Sequence, residues 1–338
     1  MTRAIVTIVS NNYLHFARTL MQSVAQYEPD AARYCVIVDR DREPALALQR
    51  AGEFTPIWLD QLALPDGDDF PFQYTVLELN TAVKPWALAH LAAQGHTELA
   101  YIDPDIELHA SLAEVWQLLV GGSEVVLTPH LLDPASDTCR PTELDIRRAG
   151  TYNLGFVALR ATSGARSLLR WWQGKLRHDC IVAQDRGIFV DQSWMDLVPG
   201  LFGQVAVLRH PGYNVAYWNL AQRALAADTG DAITVNGQPL VFFHFSGLDP
   251  RNPHPLSKHQ NRYSLGNIGT VGAQLVRQYA QRVLGNALER YRAMPYGFGT
   301  YADGTAISDA ERARYREDPA LREECGHQPF DRPEIICS

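Results

Sequence analysis

From Ala4 to Leu127 the chain repeats one alternation: a compact apolar run rich in β-branched residues, then a segment whose apolar residues recur at helical spacing. That rhythm leaves few folds open, because strands joined through helices lie parallel and are covered on both faces. Ala4 to Val9 is the first run and suits a strand buried on both sides. Asn11 and Asn12 interrupt it, and Leu14, Ala17, Leu20, Met21 and Val24 then share one face of a helix. Residues 34–38 (YCVIV) form a second buried run that ends at Asp39; 42–51 reads as a helix and 54–59 as a third strand. Residues 81–93 read as one helix, in which Pro85 is tolerable only near the first turn. Residues 98–102 form a strand that runs straight into Asp103-Pro104-Asp105, before a helix over 112–120 and a strand over 124–127. Ligands of such sheets bind beyond the carboxyl ends of the strands. Asn11, Asn12, Asp39, Asp103 and Asp105 all fall there.

The second half is less regular. Residues 152–160 (YNLGFVALR) read as a strand and 163–177 as a helix. Asp191 is placed to cap a helix reaching Leu197, and 205–208 is a further strand. Residues 233–245 read as a hairpin about Asn236-Gly237, and 271–291 as an amphipathic helix. Beyond Met294 the chain is rich in Gly, Pro and charge and is weakly specified.

Composition closes off other classes of function. The 338 residues are 46% hydrophobic and 20% charged, enough to bury a substantial core. A net charge of −8 argues against a nucleic-acid-binding surface, which needs a basic footprint. Cys35, Cys139, Cys180, Cys325 and Cys337 are scattered without a Cys-x-x-Cys pair, which argues against a disulfide framework or a zinc site and points to a reducing cytoplasm. The first apolar run is too short for a signal peptide, and no stretch approaches the ~20 apolar residues of a transmembrane helix. Membrane contact is therefore expected to be peripheral.

Asp103 and Asp105 carry the strongest chemical signal. In an extended chain, residues two apart project to one side, and Pro104 stiffens the pair. Two carboxylates on a short rigid segment suit Mg²⁺ or Mn²⁺ while leaving positions for phosphate oxygens. An Asp-x-Asp pair by itself is commonly a solvated loop; the buried-strand setting YIDPDIEL is what lifts this one. His244, in FFHFSGLDP, ends an apolar strand, where a lone histidine is commonly a core residue. As a third ligand it would make a mixed N/O site favouring Mn²⁺, provided the fold brings it to Asp103 and Asp105. Asn153 and Gly155 read by themselves as a strand start. Lys258, His259 and Arg262 read singly as surface charge, and Trp86, Trp171, Trp172, Trp194 and Trp218 mostly as core.

Taken in order, these motifs resemble those of the GT-A glycosyltransferases, and within them retaining glycosyltransferase family 8 and its bacterial relatives. Residues 7–12 resemble the family's nucleotide-binding start, Lys84 its donor-facing basic residue, YIDPDIEL its Asp-x-Asp strand, YNLGFVAL its Asn-x-Gly strand, VDQSWMD its Asp-Gln helix start and HFSG its late His-x-x-Gly. The match spans about residues 1–262. The family's lysine three residues after that glycine is here Pro250, so Arg251, Lys258 or His259 stands in for it.

The resemblance implies an α/β GT-A fold: a mainly parallel central sheet flanked by helices, with a helical C-terminal extension. A catalytic domain would span 1–265, its donor-binding half about 1–130 and its acceptor side 131–265, followed by a helix and extended tail over 266–338. It implies Asp103, Asp105 and His244 as metal ligands, with Thr7, Asn11, Asn12, Asp39, Lys84, Asp103, Asn153, Gly247, Lys258 and His259 on a nucleotide-diphosphate sugar, a UDP-sugar by expectation. Asp191 and Gln192 would lie beside the anomeric carbon. The acceptor would be a saccharide or glycolipid of bacterial surface-polysaccharide synthesis, the transfer retaining, and the chain part of a larger transferase assembly. Two alternatives stay open: an inverting transferase with Asp191 as general base, and a nucleotide-sugar-binding protein without turnover.

Overall fold

The structure is a computed structural model that describes residues 2–227 and 232–337. The apolar runs become β1 (Arg3–Val9), β2 (Ala32–Ile37), β3 (Thr55–Trp58), β4 (Glu98–Ile102), β5 (Ile106–Leu108), β6 (Val125–Pro129) and β7 (Tyr152–Arg160). All but β5 join with Val205–Val207 in a seven-stranded sheet, ordered Val205–Val207, β6, β7, β4, β1, β2, β3. Its pairings are parallel except at β7, which runs antiparallel to both β4 and β6. The mainly parallel α/β sheet expected from the alternation is therefore present.

Alternate residues of β1 and β2 feed the two faces. Ala4, Val6, Ile8 and Val36 enter one apolar cluster, and Ile5, Val9, Cys35 and Ile37 the other. Helix α1 (Leu14–Tyr27) buries the predicted stripe of Leu14, Ala17, Leu20, Met21 and Val24. A third cluster lies beneath the helix Gly269–Gly285.

Several local readings are corrected. The helix expected over 81–93 is two helices, Val76–Ala82 and Lys84–Ala93, because Pro85 has no N–H to donate to the Thr81 carbonyl. The first of the two starts on a capping box between Thr75 and Glu78. Asp191 does not cap a helix: a 3₁₀ turn at Ser193–Leu197 follows Gln192 with no side-chain cap, and the Asp191 carboxylate is held elsewhere. The hairpin about Asn236-Gly237 is only Ile233–Val235 against Gln238–Pro239, since proline cannot extend the ladder. Phe242–His244 instead pairs antiparallel with β5. The long late helix breaks at Ala287, whose φ of 64° is left-handed, into Gly269–Gly285 and Leu288–Arg292.

The segment after Met294 is better specified than its composition suggests. It forms helices at Asp309–Glu317, Pro319–Glu324 and Pro333–Ile336. Phe298, Tyr315, Leu321 and Phe330 join Phe70, Phe72 and Tyr74 in the main core. Arg312, 3% exposed, donates to the carbonyls of Phe72, Tyr74 and Phe298. These apolar residues are spaced singly among charges, so no periodic face announces them.

Candidate metal centre and donor site

β4 ends at Ile102, and the turn to β5 places Asp103 and Asp105 at the carboxyl edge of the sheet. The ladder between β5 and Phe242–His244 pairs Ile106 with His244, so the imidazole arrives beside the two carboxylates. One ligand atom from each of Asp103, Asp105 and His244 lies within 4.8 Å of the others. His244 Nε2 is 3.1 Å from Asp105 Oδ1 and 3.8 Å from Asp103 Oδ2. The condition set by the sequence, that the fold unite these three, is met.

The electrostatics suit a cation. Burial pushes the Asp103 carboxyl up; Lys84 draws it down, and the neighbouring Asp105 adds to the rise. Burial works to lower His244, but Asp105 and then Asp103 outweigh it and the imidazole is raised. The two carboxylates thus favour a positive partner between them, which a proton or a divalent ion supplies. Tyr101 OH donates to Asp103 Oδ1 and orients it. Two carboxylates and one imidazole fit Mn²⁺ or Mg²⁺ with positions left over for other oxygens.

Asn153 and Gly155 lie two apart on β7 and face this cluster. A Cβ on Gly155 would sit 2.5 Å from His244 Cε1 and 2.9 Å from both Asn153 Oδ1 and Asp103 Oδ2. The glycine of YNLGF is therefore what makes room for the triad. His244 Nδ1 donates to Asn153 Oδ1 at 3.0 Å, which leaves Nε2 facing the carboxylates.

Lys84 and Asp191 form a buried ion pair, Nζ to Oδ2 at 2.5 Å, with the two side chains 1% and 2% exposed. Lys84 also donates to Leu154 O at 2.8 Å and lies 4.2 Å from the centre of the Tyr101 ring. Burial still raises Asp191, although Lys84 opposes it. Gln192 is held by backbone: its Nε2 donates to Ala149 O, and its Oε1 accepts from Leu154 N and Asn153 Nδ2.

At the neighbouring strand ends, Asp39 accepts backbone N–H groups from Asn11, Arg40 and, in the C-terminal segment, Gly297. Asn11 Nδ2 donates to Asp41 O, and Ser10 Oγ donates to Asn12 Oδ1. Thr7 lies two residues further back on β1, fully buried, its hydroxyl without a partner among the described residues. Gly247 has φ 72° and packs against His259 and Ser257, and its carbonyl accepts from Lys258 N. Of the residues that could replace a lysine at Pro250, Arg251 is turned onto Asp249, while Lys258 and His259 lie beside Gly247.

Some site residues carry no motif. Tyr13, half exposed, follows Asn11-Asn12; burial raises its hydroxyl pKa, as does the charge of Asp105. Arg292 ends the short helix Leu288–Arg292 and acts electrostatically on Tyr13 and His15. Nothing around Arg292 in the sequence marks it, since only the fold carries the tail back to β1. His130, at the end of β6, adjoins Asn153. Among the described residues no helix is long and apolar enough to cross a membrane.

No family model matches the chain. The uncharacterized protein YfnF of Bacillus subtilis (strain 168) is 26% identical over 249 residues, covering 73% of this chain and 82% of that protein. The uncharacterized protein YfnD of the same organism is 24% identical over 246 residues, covering 72% and 76%. Among solved structures, the galactosyltransferase LgtC in complex with donor and acceptor sugar analogs superposes with a TM-score of 0.51 at 16% identity. It covers 82% of this chain and 95% of that one. An active-site mutant of LgtC gives a TM-score of 0.50 at 13% identity, with the same coverage. The architecture built up from the strand order is thus the GT-A fold of glycosyltransferases.

Proposed function

We propose that the chain transfers a sugar from a nucleotide-diphosphate sugar to a saccharide or glycolipid acceptor in a metal-dependent reaction. The observation that carries this reading is the Asp103–Asp105–His244 cluster at the carboxyl edge of a GT-A sheet. Departure of a nucleoside diphosphate builds negative charge on the β-phosphate. A divalent ion held by the triad would neutralise it. Lys258, beside Gly247, is the cation assigned to the diphosphate, and His259, which burial and the Lys258 charge keep neutral, is assigned to it as a hydrogen-bond donor. Asn11, Asn12, Asp39 and Thr7, at or near the strand ends, are assigned to the nucleoside of a UDP-sugar, with the exposed ring of Tyr13 available to cover the base. Lys84 acts from beneath, setting the field at Asp103 and holding Asp191.

Retention by front-face attack is the stereochemistry favoured. Asp191 is buried and ion-paired, which suits neither a base on an acceptor hydroxyl nor a free nucleophile. Its role with Gln192 is to shape the wall facing the donor ring. A cytoplasmic enzyme of surface-polysaccharide synthesis, peripheral to the membrane and working within a larger assembly, is the setting proposed. Thermal-shift screening of nucleotide sugars with Mn²⁺ identifies the donor, because a ligand of the native state alone raises the midpoint. Transfer is then assayed with saccharide acceptors and the product anomer read by NMR. Donor binding without transfer to any acceptor would leave a binding protein, and an inverted product would return Asp191 to the role of base.

A further inference from the structure

His130 belongs to none of the sequence motifs, yet it closes a hydrogen-bond chain that ends on the metal triad. The chain is anchored in backbone at two points, which removes the usual ambiguity of amide and imidazole orientation. Gln192 Oε1 must face Leu154 N at 3.0 Å, and its Nε2 must face Ala149 O at 2.9 Å. Asn153 therefore turns Nδ2 toward Gln192 Oε1, 3.3 Å away. The second anchor is Thr151 O, 3.3 Å from His130 Nδ1, which places the proton of that ring on Nδ1. His130 Nε2 is then an acceptor for Asn153 Nδ2 at 3.2 Å. Both contacts of Nδ2 leave Asn153 Oδ1 pointing at His244 Nδ1, 3.0 Å away, where an oxygen can only accept. His244 Nδ1 must carry a proton, and Nε2 is the nitrogen left to face Asp103 and Asp105.

We infer that His130 is a positioning residue: through Asn153 it fixes the His244 ring with Nδ1 protonated and Nε2 presented to the metal. Metal-bound histidines usually give their second N–H to a carboxylate, carbonyl or water. Here a side-chain amide takes that place and is itself held by two neighbours. Burial lowers His130 to about 4, which keeps Nε2 unprotonated and able to accept. His130 is 5% and Asn153 7% exposed, so little water competes for these contacts. Trp218 lies edge-on to both imidazoles, with ring centroids 5.2 Å from each.

The purpose of this relay rests on the metal reading above, so the test has two arms. In the metal-free full chain labelled with ¹⁵N-histidine, two-bond ¹H–¹⁵N spectra should show His130 protonated on Nδ1 only and His244 carrying a proton on Nδ1. A His130 protonated on Nε2 would overturn the relay whatever the metal does. In the second arm, free Mn²⁺ is titrated by electron paramagnetic resonance. His130→Phe should weaken Mn²⁺ binding about 10- to 100-fold, the usual cost of losing such a partner. His130→Gln, whose amide can donate to Thr151 O and accept from Asn153, should restore most of it. If the wild type binds Mn²⁺ and a folded His130→Phe binds it equally well, the positioning role is wrong. If the wild type binds no Mn²⁺, the metal reading fails, and the spectra still decide whether the relay exists.

Discussion

Asp105 sits past the end of β4 with its side chain a quarter exposed, so shortening it removes a ligand without opening a core cavity. Asp105→Ala should reduce transfer to background while the chain still unfolds in one cooperative transition, because no core cavity opens; a radiolabelled-donor assay and urea unfolding check the two halves. Lys84 behaves in the opposite way. Lys84→Met strands Asp191 at 2% exposure, and breaking a buried pair from one side costs about 3–5 kcal/mol. Urea unfolding should show that loss, and Asp191→Leu in the same chain should recover part of it. At this scale Asp103, Asp105 and His244 were legible because each ends an apolar strand, where a polar residue is conspicuous. His130 was not, because its meaning lies in Thr151 and Asn153, brought to it at the start of β7, and Tyr101 was not, because a tyrosine inside an apolar strand reads as core. Asp191 was misread as a cap because a cap and a buried ion pair look alike in sequence.

β7 shows what an element adds to its residues. Strand alternation puts Asn153 and Gly155 on the same face, one to hold His244 and the other to leave space for it. Gly155→Ala would drive a methyl group to 2.5 Å from His244 Cε1. It should cost metal affinity and transfer together while the far-UV circular dichroism of the sheet stays unchanged; Mn²⁺ titration is the direct measurement. Parallel strands covered on both faces declare themselves as apolar runs, which is why β1, β2, β4 and β6 were readable. The break at Val83 and the short hairpin at Asn236-Gly237 were harder. Each depends on one proline denying one hydrogen bond, and periodicity averages over such events.

For the whole molecule, the C-terminal segment is the main departure from a reading by composition. Removing residues 295–338 would strip Phe298, Tyr315 and Phe330 from around Phe72 and leave three carbonyls without Arg312. The shortened chain should aggregate or melt without a cooperative transition, checked by calorimetry against the full chain. Acid sensitivity is also a global property. Burial lowers His15 and His109 to about 4, whereas the unfolded chain protonates them near 6.5. Between those values the unfolded state binds more protons, so stability should fall as pH drops from about 6.5 toward 4. Replacing either histidine by glutamine should remove about one proton from that slope, measured as urea-unfolding free energy against pH.

The ladder of Phe242–His244 on β5 also bears on how chains of this kind can differ in length. His244 reaches the carboxylates only because it sits opposite Ile106, and a slip of one place would offer a phenylalanine instead. Insertions and deletions in the long stretch between these two strands can be absorbed by its surface turns. A single residue gained or lost from Asp103 to Leu108, or from Phe242 to His244, cannot. Library screens that scatter one-residue deletions through the gene should therefore return active clones over much of 131–149 and none within those two short windows.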